Sequence, residues 1–212
     1  MQDAQEKRSS PKQEALIEVD PSKEYESFPL TEIQHAYLVS RGDSSSQATV
    51  GTTYCQIFAV DEIDLDRLDA AWGKVQKRHG MMRASVEEDG TQSIAPSSKI
   101  GHIERAECAN SSEAKQQLEE IKRTVFALAK PPLHRVVSIS WHEESGKQTR
   151  LVFCFDYTVL DALSVMTVLA ELAELYENPG ADLPGIGLTF RDFVVGHRRD
   201  GREVEEAEGY WR

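Results

Sequence analysis

Residues Phe155-Asp156-Tyr157-Thr158-Val159-Leu160-Asp161-Ala162-Leu163-Ser164 place two carboxylates five positions apart, where an apolar run hands over to an amphipathic one. Upstream, Leu151 to Phe155 is continuously apolar, as expected of a strand deep in a sheet. Downstream, Val165, Val168, Leu169, Leu172 and Tyr176 recur at helical spacing, and Asn178-Pro179-Gly180 closes the pattern. The stretch therefore reads as a strand-to-helix junction. Such junctions aim strand-end side chains at a crevice, while the free N–H groups of the helix favour a carboxylate at its start. Asp161 occupies that start, where an Asp is more often a cap than a catalyst. Asp156 shares strand parity with Val152 and Cys154, which leaves open a structural ion pair or a crevice-facing carboxylate.

Further upstream, Arg135 to His142 alternates Val137, Ile139 and Trp141 with polar residues, and Tyr54 to Val60 has strand composition. Asp64 introduces a helix with Leu65, Leu68, Trp72 and Val75 on one face, ended by Gly80. Short strands follow at Met82 to Val86, Gln92 to Ala95 and Gly101 to Ala106, with Asp89-Gly90 as a hairpin turn, and read as a local meander. A helix from Ser111 or Ser112 carries Leu118, Ile121, Val125 and Leu128 and runs until Pro131-Pro132. Thr31 N-caps a short helix bearing Ile33, Ala36 and Tyr37, and another short helical stretch covers Phe190 to His197. Residues 1–27 are polar and read as a tail or linker, leaving 28–212 as the folded lobe. The irregular alternation with a hairpin predicts a mixed-sheet α/β sandwich, and no G-x-G-x-x-G pattern supports nucleotide binding.

The 212 residues carry a formal net charge of -12, which argues against a nucleic-acid surface, since phosphate binding needs clustered Lys and Arg. The apolar stretches are too short to cross a bilayer, so no membrane anchoring is expected. Cys55, Cys108 and Cys154 lack C-x-x-C spacing, predicting neither a zinc site nor a disulfide and fitting a reducing, cytoplasmic setting. His102, His134, His142 and His197 lack paired metal spacing, so no metal is expected. Trp72, Trp141 and Cys154 read as core.

Five segments together resemble a known family. Phe28-Pro29-Leu30-Thr31-Glu32-Ile33-Gln34-His35-Ala36-Tyr37 resembles F-P-L-T-x-x-Q-x-A-Y, the opening signature of heterocyclisation domains in the condensation superfamily of nonribosomal peptide synthetases. Of the Gly-Arg pair that usually follows, Ser40-Arg41 retains the arginine. Arg78-His79-Gly80-Met81-Met82-Arg83 resembles the R-H-x-M-L-R motif, with Met82 in place of leucine at nearly conserved volume. Asp156, Asp161 and Ser164 match D-x-x-x-x-D-x-x-S, the heterocyclisation variant of H-H-x-x-x-D-G. Phe190-Arg191-Asp192-Phe193 is similar to F-R-D-Y, and Tyr210-Trp211 matches the closing Y-W pair.

The resemblance implies a chloramphenicol-acetyltransferase-like fold of two α/β lobes, of which this chain supplies the N-terminal one. It implies amide formation between an acyl or peptidyl thioester and carrier-bound Cys, Ser or Thr, then cyclodehydration to a thiazoline or oxazoline, with proximity supplying much of the rate. No cofactor is expected to be bound; substrates would arrive on the phosphopantetheine arms of upstream and downstream peptidyl carrier domains. The C-terminal lobe is expected as a further partner, because nothing after Trp211 supplies its motifs, and the isolated chain is expected to be inactive. By the same resemblance, Gln34, Tyr37, Arg41, Arg78, His79 and Arg83 are motif or tunnel residues, and Ser164 joins Asp156 and Asp161 at the junction. Asp156 is expected to face the tunnel and organise it. Asp161 is expected to cap its helix and pair with an arginine, Arg83 first. An ordinary condensing domain and a noncatalytic docking lobe are the alternatives.

Overall fold

In the computed structural model, which describes residues 17–42, 52–98 and 100–196, the backbone divides between two sheets. In chain order the elements are β1 (Phe28–Pro29), α1 (Glu32–Gly42), β2 (Thr53–Val60), α2 (Leu65–Arg78), β3 (Ala84–Val86), β4 (Thr91–Ile94) and β5 (Glu104–Glu107). There follow α3 (Ser111–Lys122), β6 (His134–Glu143), β7 (Gly146–Asp156), α4 (Ala162–Glu177) and α5 (Phe190–Gly196). The larger sheet has the order β2-β7-β6-β5, antiparallel except for the parallel β5–β6 pair; the smaller has β1-β4-β3. The expected mixed-sheet α/β sandwich is what the chain forms.

Strand parity builds the layers. Along β7, Leu151, Phe153 and Phe155 face one side and join Leu68, Trp72 and Val75 of α2 and Val165, Val168 and Leu172 of α4 in the main core. Val152 and Cys154 face the other side and pack with Ile121 of α3 and with Val137 and Ile139. Trp72 is 1% exposed and meets Phe153 and Phe155 edge-on, so α2 is keyed to the sheet by one large ring. The helix starts are capped as spacing predicts: the Asp64 carboxylate accepts hydrogen bonds from the Asp66 and Arg67 amides, and Asn110 does the same for α3. In the β3–β4 hairpin Gly90 has φ 81°, a left-handed conformation that suits glycine.

Four expectations need correction. The third strand of the anticipated meander leaves it: Gln76 clamps both backbone groups of Gly101, at 2.7 and 2.8 Å, and Asp69 accepts from the Ile103 amide at 2.7 Å. These ties carry β5 across to pair with β6. Helix α3 stops at Lys122, where Thr124 turns its hydroxyl back onto the Ile121 carbonyl. Val125 is consequently exposed, and the Leu128 carbonyl is taken by the Val86 amide. The folded part also includes residues before Phe28, since Glu24 and Glu26 are ion partners of Arg83 and Arg191, both nearly buried. Finally, Cys55 and Cys154 face one another across β2 and β7 and are joined by a disulfide, while Cys108 is free and buried. A separation of 99 residues hid this pair, because only strand register places the two sulfurs together.

Candidate functional site

A cavity of about 700 Å³ opens where four of the five recognised segments converge. Thr31 and Gln34 come from the start of α1, His79 and Gly80 from the end of α2, Tyr157 to Asp161 with Leu163 and Ser164 from the junction, and Thr189 and Phe190 from the approach to α5. The fifth segment, Tyr210-Trp211, lies outside the described residues.

Gln34 holds this assembly together. Thr31 and Gln34 form a reciprocal cap: the Gln34 side-chain oxygen accepts from the Thr31 amide at 2.9 Å, and the Gln34 amide reaches the Thr31 hydroxyl at 3.4 Å. The Gln34 side chain also donates to Gln92 of β4 at 2.9 Å and to the Thr158 carbonyl at 2.8 Å. Being 4% exposed and fully engaged, it fixes the junction loop to both α1 and the small sheet. Tyr37 lies one turn further along α1, half-buried, and its proximity helps raise the pKa of the Tyr157 phenol.

Asp156 does not face the cavity. Its parity sends the carboxylate to the α3 side of the sheet, where it is 0% exposed and forms an ion pair with Arg41. The carboxylate also accepts from the Thr52 hydroxyl at 2.8 Å and from the Thr158 amide at 2.9 Å. Arg41 donates in turn to the Phe126 carbonyl at 3.1 Å. A buried charge needs both a counter-charge and hydrogen bonds, and this arrangement supplies them. The tunnel-facing reading of Asp156 therefore gives way to the ion-pair reading that parity had left open, with Arg41 of the opening signature as partner.

Asp161 caps α4, accepting from the Ser164 amide at 2.8 Å, and the Ser164 hydrogen bonds hold its carboxyl below the usual carboxylate range. The expected Arg83–Asp161 pair is not formed. Arg83, 2% exposed, instead donates to the Gln76 and Lys77 carbonyls at 2.6 and 2.8 Å and to the Ala95 carbonyl at 2.9 Å, with Glu24 as its carboxylate. Its guanidinium closes the C-terminus of α2, where cations are favoured. Asp161→Ala is accordingly expected to lower stability by about 1 kcal/mol, most of which Asp161→Asn retains, as read by urea unfolding. Equal stability of all three proteins would remove the capping role.

At the second motif, Glu171 of α4 accepts from Arg78 Nε at 3.0 and 3.2 Å and lies 2.6 Å from His79 Nε2, so α2 and α4 are bound across the cavity wall. Glu171, Thr52 and Gln92 escape a reading by motif, because each acts on a partner distant in sequence. Among the described residues no three His, Cys, Asp or Glu side chains converge to hold a metal, and no helix is long and apolar enough to cross a membrane.

The family description "Condensation domain" matches residues 24–212. Phenyloxazoline synthase MbtB of Mycolicibacterium paratuberculosis is 32% identical over 198 residues, covering 89% of this chain and 16% of that protein. Pyochelin synthetase PchF of Pseudomonas aeruginosa is 28% identical over 205 residues, covering 91% and 11% respectively. Among solved structures, the EpoB NRPS cyclization-docking bidomain from Sorangium cellulosum superposes with a TM-score of 0.81 at 28% identity, covering 92% of this chain and 40% of that one. The chain thus spans less than a fifth of those curated relatives.

Proposed function

The chain belongs to the condensation-domain family, with the fold of one lobe of its chloramphenicol-acetyltransferase-like architecture, and on that premise we propose that it is the N-terminal lobe of a heterocyclisation domain. The observation that carries the reading is the junction itself. It presents D-x-x-x-x-D-x-x-S at a strand-to-helix turn, tied to the opening signature through the Gln34–Thr158 hydrogen bond and the Arg41–Asp156 ion pair. Relatives named for phenyloxazoline and pyochelin synthesis, and a cyclization bidomain as structural neighbour, support the same reading.

In this proposal the lobe works with a second lobe and two peptidyl carrier domains. The carriers deliver an acyl thioester and a Cys, Ser or Thr thioester on phosphopantetheine arms. Amide formation comes first, and the side-chain thiol or hydroxyl then closes a five-membered ring with loss of water. Both motif carboxylates are spent on structure, so Asp156 anchors the junction from behind the site and leaves acid-base work to other groups. Holding two tethered reactants in one cavity supplies much of the acceleration.

The test is an acceptor series in a two-lobed protein containing this chain. Cysteinyl, seryl or threonyl carriers are expected to give products lighter than the linear amide by one water, whereas an alanyl carrier gives the amide alone. Linear amide from every acceptor would make the domain an ordinary condensing one, and no product from any of them would favour a docking lobe.

A further inference from the structure

We propose that the Tyr157 hydroxyl is a hydrogen-bond donor to the substrate carbonyl oxygen during ring closure, a role that rests on the heterocyclisation reading. Tyr157 lies between the two motif carboxylates, yet it projects to the opposite side of the junction from Asp156 and lines the cavity. Its backbone is fixed on both sides: the Tyr157 amide donates to the Thr52 carbonyl at 2.9 Å, and the next amide donates to Asp156. Its ring stacks on Tyr54 with centroids 5.6 Å apart and planes 17° from parallel. The Tyr54 hydroxyl is occupied by Gln56, whereas no described residue hydrogen-bonds the Tyr157 hydroxyl. Burial, reinforced by Tyr54 and Tyr37, raises the phenol's pKa, so it keeps its proton at neutral pH and serves as a donor.

Ring closure draws on a donor to the carbonyl oxygen. The side-chain thiol or hydroxyl attacks the carbon of the new amide, a C–S or C–O bond forms, and the C=O electron pair moves onto oxygen. That oxygen collects the nucleophile's proton and the amide nitrogen's proton and leaves as water while the C=N bond forms. The Tyr157 proton is not consumed. A rigid donor on the cavity lining that reaches this oxygen stabilises the charge as it develops and requires no reorganisation during the reaction. The Tyr54 stack and the backbone ties supply that rigidity.

Tyr157→Phe removes the hydroxyl and keeps the ring on Tyr54. In the two-lobed protein with a cysteinyl acceptor, kcat for ring formation is expected to fall about 100-fold at unchanged KM and unchanged melting temperature. A merely structural tyrosine would lower the melting temperature or raise KM and leave kcat alone. Ring formation at the parental rate in Tyr157→Phe overturns this proposal and leaves the heterocyclisation reading standing. Linear amide alone from the unaltered protein overturns both.

Discussion

Replacing Asp156 by alanine is expected to lower the unfolding free energy by about 3–5 kcal/mol, because it strands a buried cation. Arg41 is 10% exposed at its side chain and would keep its charge without a counter-charge. The Thr158 amide and the Thr52 hydroxyl would lose their acceptor in the same step. Arg41→Met is expected to cost a similar amount, this time by leaving the carboxylate unpaired. The double variant Arg41→Met/Asp156→Leu should recover much of either loss, since removing both charges also removes both desolvation penalties. Urea unfolding of the four proteins at neutral pH reads the result. A carboxylate standing free in a cleft would change stability by only about 0.5 kcal/mol in the single variant, and the double variant would show no recovery.

His134 sets the second large effect. It is buried at the start of β6, with Trp72 edge-on at 5.1 Å and its Nε2 without a hydrogen-bond partner. Burial pushes its pKa down from 6.5 to about 4, against a weaker opposing hydrogen bond with the Met82 backbone. The sign follows from proton binding: between pH 6.5 and about 4 the unfolded chain carries a proton on this imidazole that the folded chain refuses. Its contribution is fully present above pH 6.5 and is lost as pH falls, by about 3 kcal/mol in all. His134→Leu should remove that component, so the stability difference between variant and parent should grow steadily over the window. A constant difference between pH 7 and pH 4.5 would show that His134 takes up its proton in the folded state, contrary to the burial argument.

Much of the fold can be read locally. The stripes of α2 and α4, the Asp64 and Asp161 caps, the Asp89-Gly90 turn and the run of β7 all follow from neighbouring residues, and the structure keeps them. Departures arise where a distant partner overrides the local pattern. The periodicity of α3 extends to Leu128, but Thr124 and Val86 recruit the carbonyls that would have continued the helix. Cys55–Cys154 and β5–β6 depend on register, which no local window contains.

The site divides along the same line. That the opening signature, the second motif and the junction belong together could be read from their residues, and all three line one cavity. Which carboxylate points where could not be settled that way. The parity shared by Asp156, Val152 and Cys154 is visible in the sequence, but its meaning depends on α3 and Arg41 covering that face. Arg83 similarly attracts a carboxylate in a motif reading, while the nearer Gln76 and Lys77 carbonyls claim its guanidinium.

Under the proposed heterocyclisation function, a side-chain nucleophile attacks the new amide carbonyl in the cavity this lobe shapes and expels its oxygen. Carrying an oxygen isotope in the donor's carbonyl through the reaction with a cysteinyl carrier tests it directly. A ring product that has lost the label is expected, with the isotope recovered in water. A linear amide that retains the label would contradict it.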